Sequence, residues 1–176
     1  MLEISYYAAT SLDGYIATPD DGLDWLKPFE ESGEDYGYAR FYASIDALLM
    51  GRKTYEAVQS FIGWPYSGKP SWVFTRHALS RLHPDVVATS ASPLEIVEQL
   101  EASGLRHAWL VGGGELAAAF REAGLIDRVI VSVIPVLLGR GIPLFGAGGG
   151  FRQLALEHIA HWPDGVVQME YRLQSG

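Results

Sequence analysis

The sequence predicts an α/β domain in which a mostly parallel central sheet is flanked by helices and completed by a C-terminal antiparallel hairpin. Two observations lead to this fold class. Short apolar runs rich in strand-forming residues alternate with helical segments through most of the chain, which is the order that produces parallel strands with crossover helices. Near the end, two segments of alternating hydrophobicity flank the turn Pro163-Asp164-Gly165, a pattern typical of an antiparallel hairpin.

Length and composition fit one globular domain. The chain has 176 residues, of which 48% are hydrophobic, enough for one substantial core. Because it has no cysteine, disulfides, thiolate catalysis and cysteine-ligated zinc are excluded. A formal net charge of −8 repels a phosphate backbone, so no nucleic-acid partner is expected. No apolar run approaches the roughly 20 residues needed to cross a bilayer, and the first residues lack the basic flank of a signal peptide. We therefore expect a cytoplasmic protein without a membrane partner.

The first half of the chain combines strands with one long loop. Residues 2–9 are predicted to form a buried strand that ends at the turn Ser11-Leu12-Asp13-Gly14. Residues 18–34 are rich in Pro, Gly and Asp, so we expect an irregular loop, which inside a compact domain is often functional. The remaining predictions are a helix over 35–44, a strand over 47–50, a short helix over 55–58 and a strand over 71–75.

The second half alternates more regularly. After a short strand at 86–88, Ser92 is the expected N-cap of a helix, with Pro93 in its first turn and Glu95 as the capping-box partner. The remaining predictions are a strand over 108–111, a helix over 115–123, a long apolar strand over 128–138 and a hairpin of residues 151–159 and 166–173.

Two strand-to-helix junctions carry unusual residues, Gly51-Arg52-Lys53-Thr54 and Gly112-Gly113-Gly114-Glu115. In an open α/β sheet such junctions lie at the carboxyl ends of strands, where the N–H groups of a helix start can bind phosphate. Glycine also lets a ligand approach the backbone closely. Together they suggest a pyrophosphate site, although each could be only a tight turn. Neither junction matches the P-loop or G-x-G-x-x-G pattern, which disfavours a nucleotide triphosphatase and a standard Rossmann dehydrogenase.

Three cations are expected near this ligand edge of an otherwise acidic protein. Arg52 and Lys53 belong to the first junction, and Arg76 follows a neighbouring strand. The cluster suits a 2′-phosphate and therefore NADPH over NADH, the alternative being three solvated surface cations. The five histidines show no metal-binding spacing, so no metal site is expected.

These motifs resemble the dihydrofolate reductase superfamily over essentially the whole chain. The resemblance is carried by Ser11-Leu12-Asp13-Gly14-Tyr15-Ile16-Ala17, Leu23-Asp24-Trp25, Met50-Gly51-Arg52-Lys53-Thr54-Tyr55-Glu56, Phe74-Thr75-Arg76 and Leu110-Val111-Gly112-Gly113-Gly114. Residues 134–145, Ile-Pro-Val-Leu-Leu-Gly-Arg-Gly-Ile-Pro-Leu-Phe, are absent from true dihydrofolate reductases. This segment is similar to the reductase domain of the bifunctional riboflavin-biosynthesis deaminase-reductase. The resemblance implies a dihydrofolate-reductase-like fold in a stand-alone, riboflavin-type reductase domain that spans residues 1–176.

The resemblance also implies roles toward NADPH. Ala9 on the first strand and Ile16 in the flexible loop would offer backbone groups to the nicotinamide carboxamide. The residues expected around the phosphates are Gly51, Arg52, Lys53 and Thr54, with Thr75 and Arg76 at the 2′-phosphate. The residues expected along the pyrophosphate and nicotinamide ribose are Val111, Gly112, Gly113, Gly114, Glu115 and Leu116. The Gly112-Gly113 peptide is expected to be cis.

For the substrate, the resemblance implies a single pocket carboxylate. Asp35 is the best candidate catalytic residue because its distance ahead of Gly51 and its helix-start position match, and Glu34 is the alternative. This carboxylate would orient a pterin-like or pyrimidine ring and assist protonation, whereas the plainer interpretation is an N-cap or first-turn acid favoured by the helix dipole. Trp25 could border the substrate or anchor the loop. Arg140 could bind a substrate phosphate or be a surface arginine.

We therefore predict a reductase that transfers a hydride from NADPH to a small heterocyclic or ribosyl-aminopyrimidine-like substrate. Two alternatives stay open: a true dihydrofolate reductase, which the glycine-rich residues 137–150 disfavour, and a non-catalytic nucleotide-binding protein on the same fold. The apolar strand at 129–138 and the C-terminal hairpin are expected to offer an open sheet edge. Riboflavin-type reductases pair through this part of the sheet, so the resemblance implies a homodimer.

Overall fold

A computed structural model describes residues 1–60, 63–79 and 82–174. The strands are β1 (Glu3–Ser11), β2 (Tyr15–Ala17), β3 (Ala47–Gly51), β4 (Ser71–Phe74), β5 (Val86–Thr89), β6 (His107–Gly112), β7 (Arg128–Ile134), β8 (Ile142–Pro143), β9 (Leu154–His161) and β10 (Val167–Leu173). The α-helices are α1 (Lys27–Glu30), α2 (Tyr38–Ser44), α3 (Arg52–Gln59), α4 (Pro93–Ala102) and α5 (Gly114–Glu122).

The central sheet has eight strands in the order β5-β4-β3-β6-β1-β7-β10-β9. The strands from β5 to β7 in that order are parallel, whereas β10 pairs antiparallel with both β7 and β9. A second, two-stranded antiparallel sheet joins β2 and β8. This architecture confirms the predicted fold class, including the C-terminal hairpin.

The sheet separates two hydrophobic clusters because successive side chains of a strand point to opposite faces. On β1, Tyr6 packs into the cluster beneath α4 and α5, and Tyr7 packs against the cluster beneath α2 and α3. On β6, Leu110 belongs to the first cluster and Trp109 to the second. The strands between helices are therefore apolar on both faces, as parallel strands are when helices cover both sides.

Helix α4 begins as the sequence predicts. The Oγ atom of Ser92 accepts a hydrogen bond from the Glu95 N–H at 3.3 Å, and a Glu95 carboxylate oxygen accepts one from the Ser92 N–H at 2.7 Å. These two bonds form a capping box, with Pro93 in the first turn. The bonds from Ser92 lower the pKa of the Glu95 carboxyl below its ordinary value.

Several predicted segments differ from the structure. Helix α2 begins at Tyr38 rather than at residue 35, because Gly37 at its N-cap has a left-handed φ of +78°. The loop over residues 18–34 contains a 3₁₀ turn at Asp24–Leu26 and the short helix α1. Strand β9 begins at Leu154, three residues later than predicted.

The prediction that residues 129–138 offer an open sheet edge is wrong. Strand β7 ends at Ile134, just before Pro135, whose ring nitrogen cannot donate to a ladder. It also lies inside the sheet, with β1 on one side and β10 on the other. The edge strands are β5 and β9, so the C-terminal hairpin supplies an edge and β7 does not.

Within the described ranges, the structure contains no helix of the length and apolarity needed to span a membrane.

Helix α4 allows a matched test of the core. Leu100 is fully buried among the side chains beneath α4 and α5, whereas Leu94 on the same helix is 52% exposed. We expect Leu100→Ala to lower the free energy of unfolding by about 2–5 kcal/mol, because it removes buried methyl groups and leaves a cavity. Leu94→Ala should change it by less than about 0.5 kcal/mol. Urea denaturation followed by circular dichroism measures both, and equal losses would contradict this assignment of the core.

Candidate cofactor and substrate site

A cavity of about 1110 Å³ lies at the carboxyl ends of β1, β3, β4 and β6. Apart from Gly112, every residue predicted from the sequence to contact the cofactor lines it: Ala9, Ile16, Gly51, Arg52, Lys53, Thr54, Thr75, Arg76, Val111, Gly113, Gly114, Glu115 and Leu116. The cavity passes over the edge of the sheet from one face to the other, since Val58 belongs to the cluster beneath α2 and α3 while Phe74 and Leu116 pack against the other cluster.

Two helix starts open on this cavity. Helix α3 begins after Gly51 and α5 after Gly113; both N-cap residues are extended, and neither helix start has a side-chain cap. The first N–H groups of a helix have no partner within it and carry the positive end of the helix dipole. By contrast, the start of α4 is occupied by its own capping box. The starts of α3 and α5 are therefore suited to an anion such as a pyrophosphate.

The triple glycine is held by the protein itself. The Gly112-Gly113 peptide is cis, as predicted, and Gly112 has a φ of +119°, a region that favours glycine. A Cβ added at Gly114 would lie 2.5 Å from the carbonyl oxygen of Pro143. The Gly146 N–H also donates to the Gly114 carbonyl at 3.0 Å. Thus at Gly114 the close approach that requires glycine is made by the end of β8.

Residues 134–145, which carry the resemblance to riboflavin-type reductases, cover part of the cavity. Strand β8 pairs with β2, and this pairing brings Ile142 and Ile16 into the lining. The Leu144 N–H donates to the Gly14 carbonyl at 2.9 Å, and the Tyr6 hydroxyl donates to the Leu144 carbonyl at 2.6 Å. The segment therefore fixes the loop between β1 and β2 across the sheet edge.

Asp13 adds a second connection between the same two segments. Its carboxylate accepts hydrogen bonds from the Ser11 hydroxyl at 2.6 Å and from the Leu138 and Gly139 N–H groups at 3.1 and 2.7 Å. These bonds, that of Ser11 foremost, hold the pKa of the Asp13 carboxyl below its ordinary value. The Asp13 carboxylate therefore stays charged and keeps the β1–β2 loop attached to the chain after β7.

The three predicted cations all line the cavity but differ in their partners. The Arg52 guanidinium pairs with Glu56 at 3.0 Å, one turn along α3. The Lys53 ammonium pairs with Asp21, in the loop over residues 18–34, at 3.2 Å. Arg76 is exposed and forms no ion pair or hydrogen bond with another residue in the described parts of the chain. Its guanidinium is consequently the most available of the three for a ligand.

One end of the cavity is aromatic, which was not predicted from the sequence. It is lined by Tyr7, Val58, Tyr66 and Val111, all of which belong to or pack against the cluster beneath α2 and α3. Tyr7 could have been suspected because it lies two residues before Ala9 on β1. Tyr66 lies in an irregular loop after α3, where no periodicity or motif marks it.

The predicted substrate residues lie outside this lining. The Asp35 carboxylate is exposed and accepts hydrogen bonds from the Gly37 and Ala39 N–H groups at 2.9 and 3.1 Å, so it holds the start of α2. Asp35 is neither the N-cap nor a first-turn residue of α2, since Gly37 is the N-cap, and its catalytic role stays a prediction. Glu34 and Arg140 are also exposed. Trp25 lies in the 3₁₀ turn, and its indole nitrogen is enclosed without a partner among the described residues.

Comparison with known proteins identifies the family. The RibD C-terminal domain family matches residues 3–168. The uncharacterized protein YwjB of Bacillus subtilis (strain 168) is 40% identical over 140 residues, which are 79% of this chain and 80% of YwjB. The chain therefore belongs to the RibD C-terminal domain family, a family of reductase-like proteins.

Solved structures agree with this assignment. A putative riboflavin biosynthesis protein from Shewanella sp. PV-4 is 32% identical and superposes with a TM-score of 0.89 over 99% of this chain and 100% of its own. The bifunctional diaminohydroxyphosphoribosylaminopyrimidine deaminase/5-amino-6-(5-phosphoribosylamino)uracil reductase of Thermotoga maritima is 15% identical. Its TM-score is 0.74, over 98% of this chain and 57% of its own, so it shares the fold.

Gly114 offers a test of the junction between α5 and the covering segment. We expect Gly114→Ala to lower the free energy of unfolding by about 1–3 kcal/mol, because the new Cβ forces Pro143 away from the start of α5. Gly150→Ala is the matched control, since a Cβ there meets nothing within 4 Å. Urea denaturation of both variants measures the difference. An unchanged Gly114→Ala protein would show that this close approach is not required.

Proposed function

We propose that this protein is an NADPH-dependent reductase that transfers a hydride to a small heterocyclic, ribosyl-aminopyrimidine-like compound. One observation carries the proposal: two uncapped helix starts and three cationic side chains border a single cavity at the carboxyl edge of a parallel sheet. When bound, NADPH supplies the hydride, and the protein binds and orients the two reactants.

The residues of the cavity fit such a cofactor. Backbone N–H groups at the starts of α3 and α5 would hold the pyrophosphate, and Thr75 and Arg76 would hold the 2′-phosphate. Ala9 and Ile16 would face the nicotinamide. A volume of about 1110 Å³ exceeds the range of roughly 300–1,000 Å³ typical of small-molecule pockets, leaving room for a dinucleotide and a substrate together.

The substrate class is supported by the relatives. The Shewanella protein is described as a riboflavin biosynthesis protein, and the Thermotoga enzyme reduces a phosphoribosylamino-uracil.

Removing the charge of Arg76 tests the choice of cofactor. We expect Arg76→Ala to weaken NADPH binding by roughly 10- to 100-fold, the effect of losing a hydrogen bond to a charged group worth about 1.5–3 kcal/mol. Binding of NADH, which lacks the 2′-phosphate, should be unchanged. Titrations followed by tryptophan fluorescence measure both affinities, with Arg152→Ala, which removes an exposed arginine outside the cavity lining, as control. Failure of wild-type protein to bind either cofactor would refute the proposal.

Breaking the ion pair between Asp21 and Lys53 should strengthen NADPH binding, whereas removing Arg76 should weaken it. Asp21 lines the cavity and would repel a bound phosphate while competing with it for Lys53. We expect Asp21→Asn to tighten NADPH binding by roughly 2- to 5-fold at low ionic strength. Asp20→Asn is the control, because it removes the same charge from the adjacent residue, which lies outside the lining. Equal effects of the two changes would point to net charge alone.

We further propose that the protein is a homodimer that pairs through the C-terminal hairpin. A register shift in the hairpin brings three apolar residues of edge strand β9 opposite three of β10, and opposite residues share a face. These residues are Leu154, Leu156, Ile159, Met169, Tyr171 and Leu173. Leu156 and Ile159 are 55% and 57% exposed in the single chain, so a partner surface would bury them.

A charged residue introduced into edge strand β9 tests the proposed dimer. We expect Ile159→Glu to shift the protein from dimer to monomer, because a carboxylate in an apolar interface loses its hydration without a partner. Val87→Lys is the matched control: Val87 is 50% exposed on β5, the opposite edge strand. Sedimentation velocity at micromolar concentration measures the mass, and a wild-type monomer near 19.3 kDa would refute the proposal.

A further inference from the structure

The aromatic end of the cavity differs in chemistry from the rest. Its four lining residues, Tyr7, Val58, Tyr66 and Val111, carry no ionisable group other than two phenols. The acidic and basic residues of the lining are at other positions: Asp21, Arg52, Lys53, Arg76, His77, Glu95 and Glu115. Tyr7, Val58, Tyr66 and Val111 themselves thus offer a ligand no charged side chain. A charged ligand group placed there would lose its hydration without gaining a partner charge.

Tyr66 presents the one polar group of this end that has no partner in the described chain. Its side chain is only 8% exposed, and it lines the cavity. Its hydroxyl makes no hydrogen bond with any described residue and is not among the fully enclosed polar atoms. The Tyr7 hydroxyl, by contrast, accepts a hydrogen bond from the Gln168 side-chain amide at 3.1 Å. The Tyr66 hydroxyl is thus the group available to a ligand.

The protonation state of Tyr66 is fixed by its surroundings. Burial raises the pKa of its phenol well above the ordinary value, and the nearby phenols of Tyr38 and Tyr42 raise it further. Near neutral pH the hydroxyl therefore carries its proton. A phenol without an acceptor in the protein can donate that proton in a hydrogen bond to a ligand oxygen.

The ring of Tyr66 is held in place by two tryptophans. The indole rings of Trp64 and Trp109 contact it edge to face, with centroid distances of 5.3 and 5.5 Å and interplanar angles of 88° and 80°. The Trp109 indole nitrogen in turn donates to the Tyr7 carbonyl at 3.1 Å, which ties this group of rings to β1. The Tyr66 hydroxyl is therefore a positioned donor rather than a mobile one.

We infer that Tyr66 determines substrate specificity by donating a hydrogen bond to a carbonyl of a planar, uncharged ring bound between Tyr7, Val58 and Val111. This inference rests on the proposed function, because that proposal is what makes the aromatic end of the cavity the place where the substrate binds. A ring whose corresponding substituent is an amino group offers the phenol no such acceptor, and none of Tyr7, Val58, Tyr66 and Val111 has a carboxylate to receive the amino hydrogens. The site therefore favours an oxo ring over its amino analogue.

Two probes of the same shape test this preference. Pteridine-2,4-dione carries two ring carbonyls, and 2,4-diaminopteridine carries amino groups at the same positions. We expect the full-length protein to bind the dione about 3- to 10-fold more tightly, the range expected for one neutral hydrogen bond. Isothermal titration calorimetry, with and without NADP⁺, measures both affinities. Tighter binding of the diamino compound, or no binding of either probe, would overturn the inference.

The variant Tyr66→Phe removes one oxygen and keeps the ring. It should weaken binding of the dione by about 3- to 10-fold and leave the diamino compound unchanged. Tyr42→Phe is the matched control, because the Tyr42 hydroxyl is enclosed and its residue does not line the cavity. Equal affinity of wild type and Tyr66→Phe for the dione would overturn the inference. The preference of the wild-type protein needs no variant, so it tests the inference even if Tyr66→Phe does not fold.

The outcomes separate this inference from the proposed function. If NADPH binds with the expected dependence on Arg76 but the dione does not depend on Tyr66, the inference fails and the proposed cofactor stands. If the dione depends on Tyr66 but neither NADPH nor NADH binds, the proposed function fails, and Tyr66 remains the determinant of a site for oxo rings.

Discussion

The cavity depends on how the chain after β7 is bound back across the carboxyl edge of the sheet. Backbone hydrogen bonds join Leu144 to Gly14 and Gly146 to Gly114, and the short pairing of β8 with β2 adds to them. Without these bonds the β1–β2 loop would keep only its own turn bonds and the contacts of Leu12 and Asp13 with residues 136–139, and loops with few contacts open readily. The same contacts require glycine at position 114, where any side chain would collide with Pro143. One covering segment thus shapes the cavity and fixes part of the sequence around it.

Structural features that depend only on residues close together in the sequence were predicted correctly. The capping box of Ser92 and Glu95 needs residues three apart, and the strand-to-helix junctions at Gly51 and Gly113 need only local apolar patterns and glycine. These junctions located the cavity correctly because parallel strands all end at the same edge of a sheet.

Features set by contacts between distant residues were not predicted. The edge strand depends on which strands pair, and the apolar run of β7 is equally compatible with an edge or an interior position. Asp35 binds the N–H groups at the start of α2 because Gly37 places that start three residues later than the sequence suggests. Tyr66 reaches the cavity only because Trp64 and Trp109 pack against its ring, and Trp109 lies on a strand far along the chain.

The cavity is lined by residues of both hydrophobic clusters, so substitutions in the two clusters affect different parts of it. Side chains from beneath α4 and α5 support the part with Phe74 and Leu116, while those from beneath α2 and α3 support Tyr66 and Val58. The sheet lies between the two sets, so substitutions in one cluster are separated from the other by a layer of backbone. Substitutions around Tyr66 can therefore change the recognition of a second reactant while the start of α5, on the other side of the sheet, keeps its proposed contribution to cofactor binding.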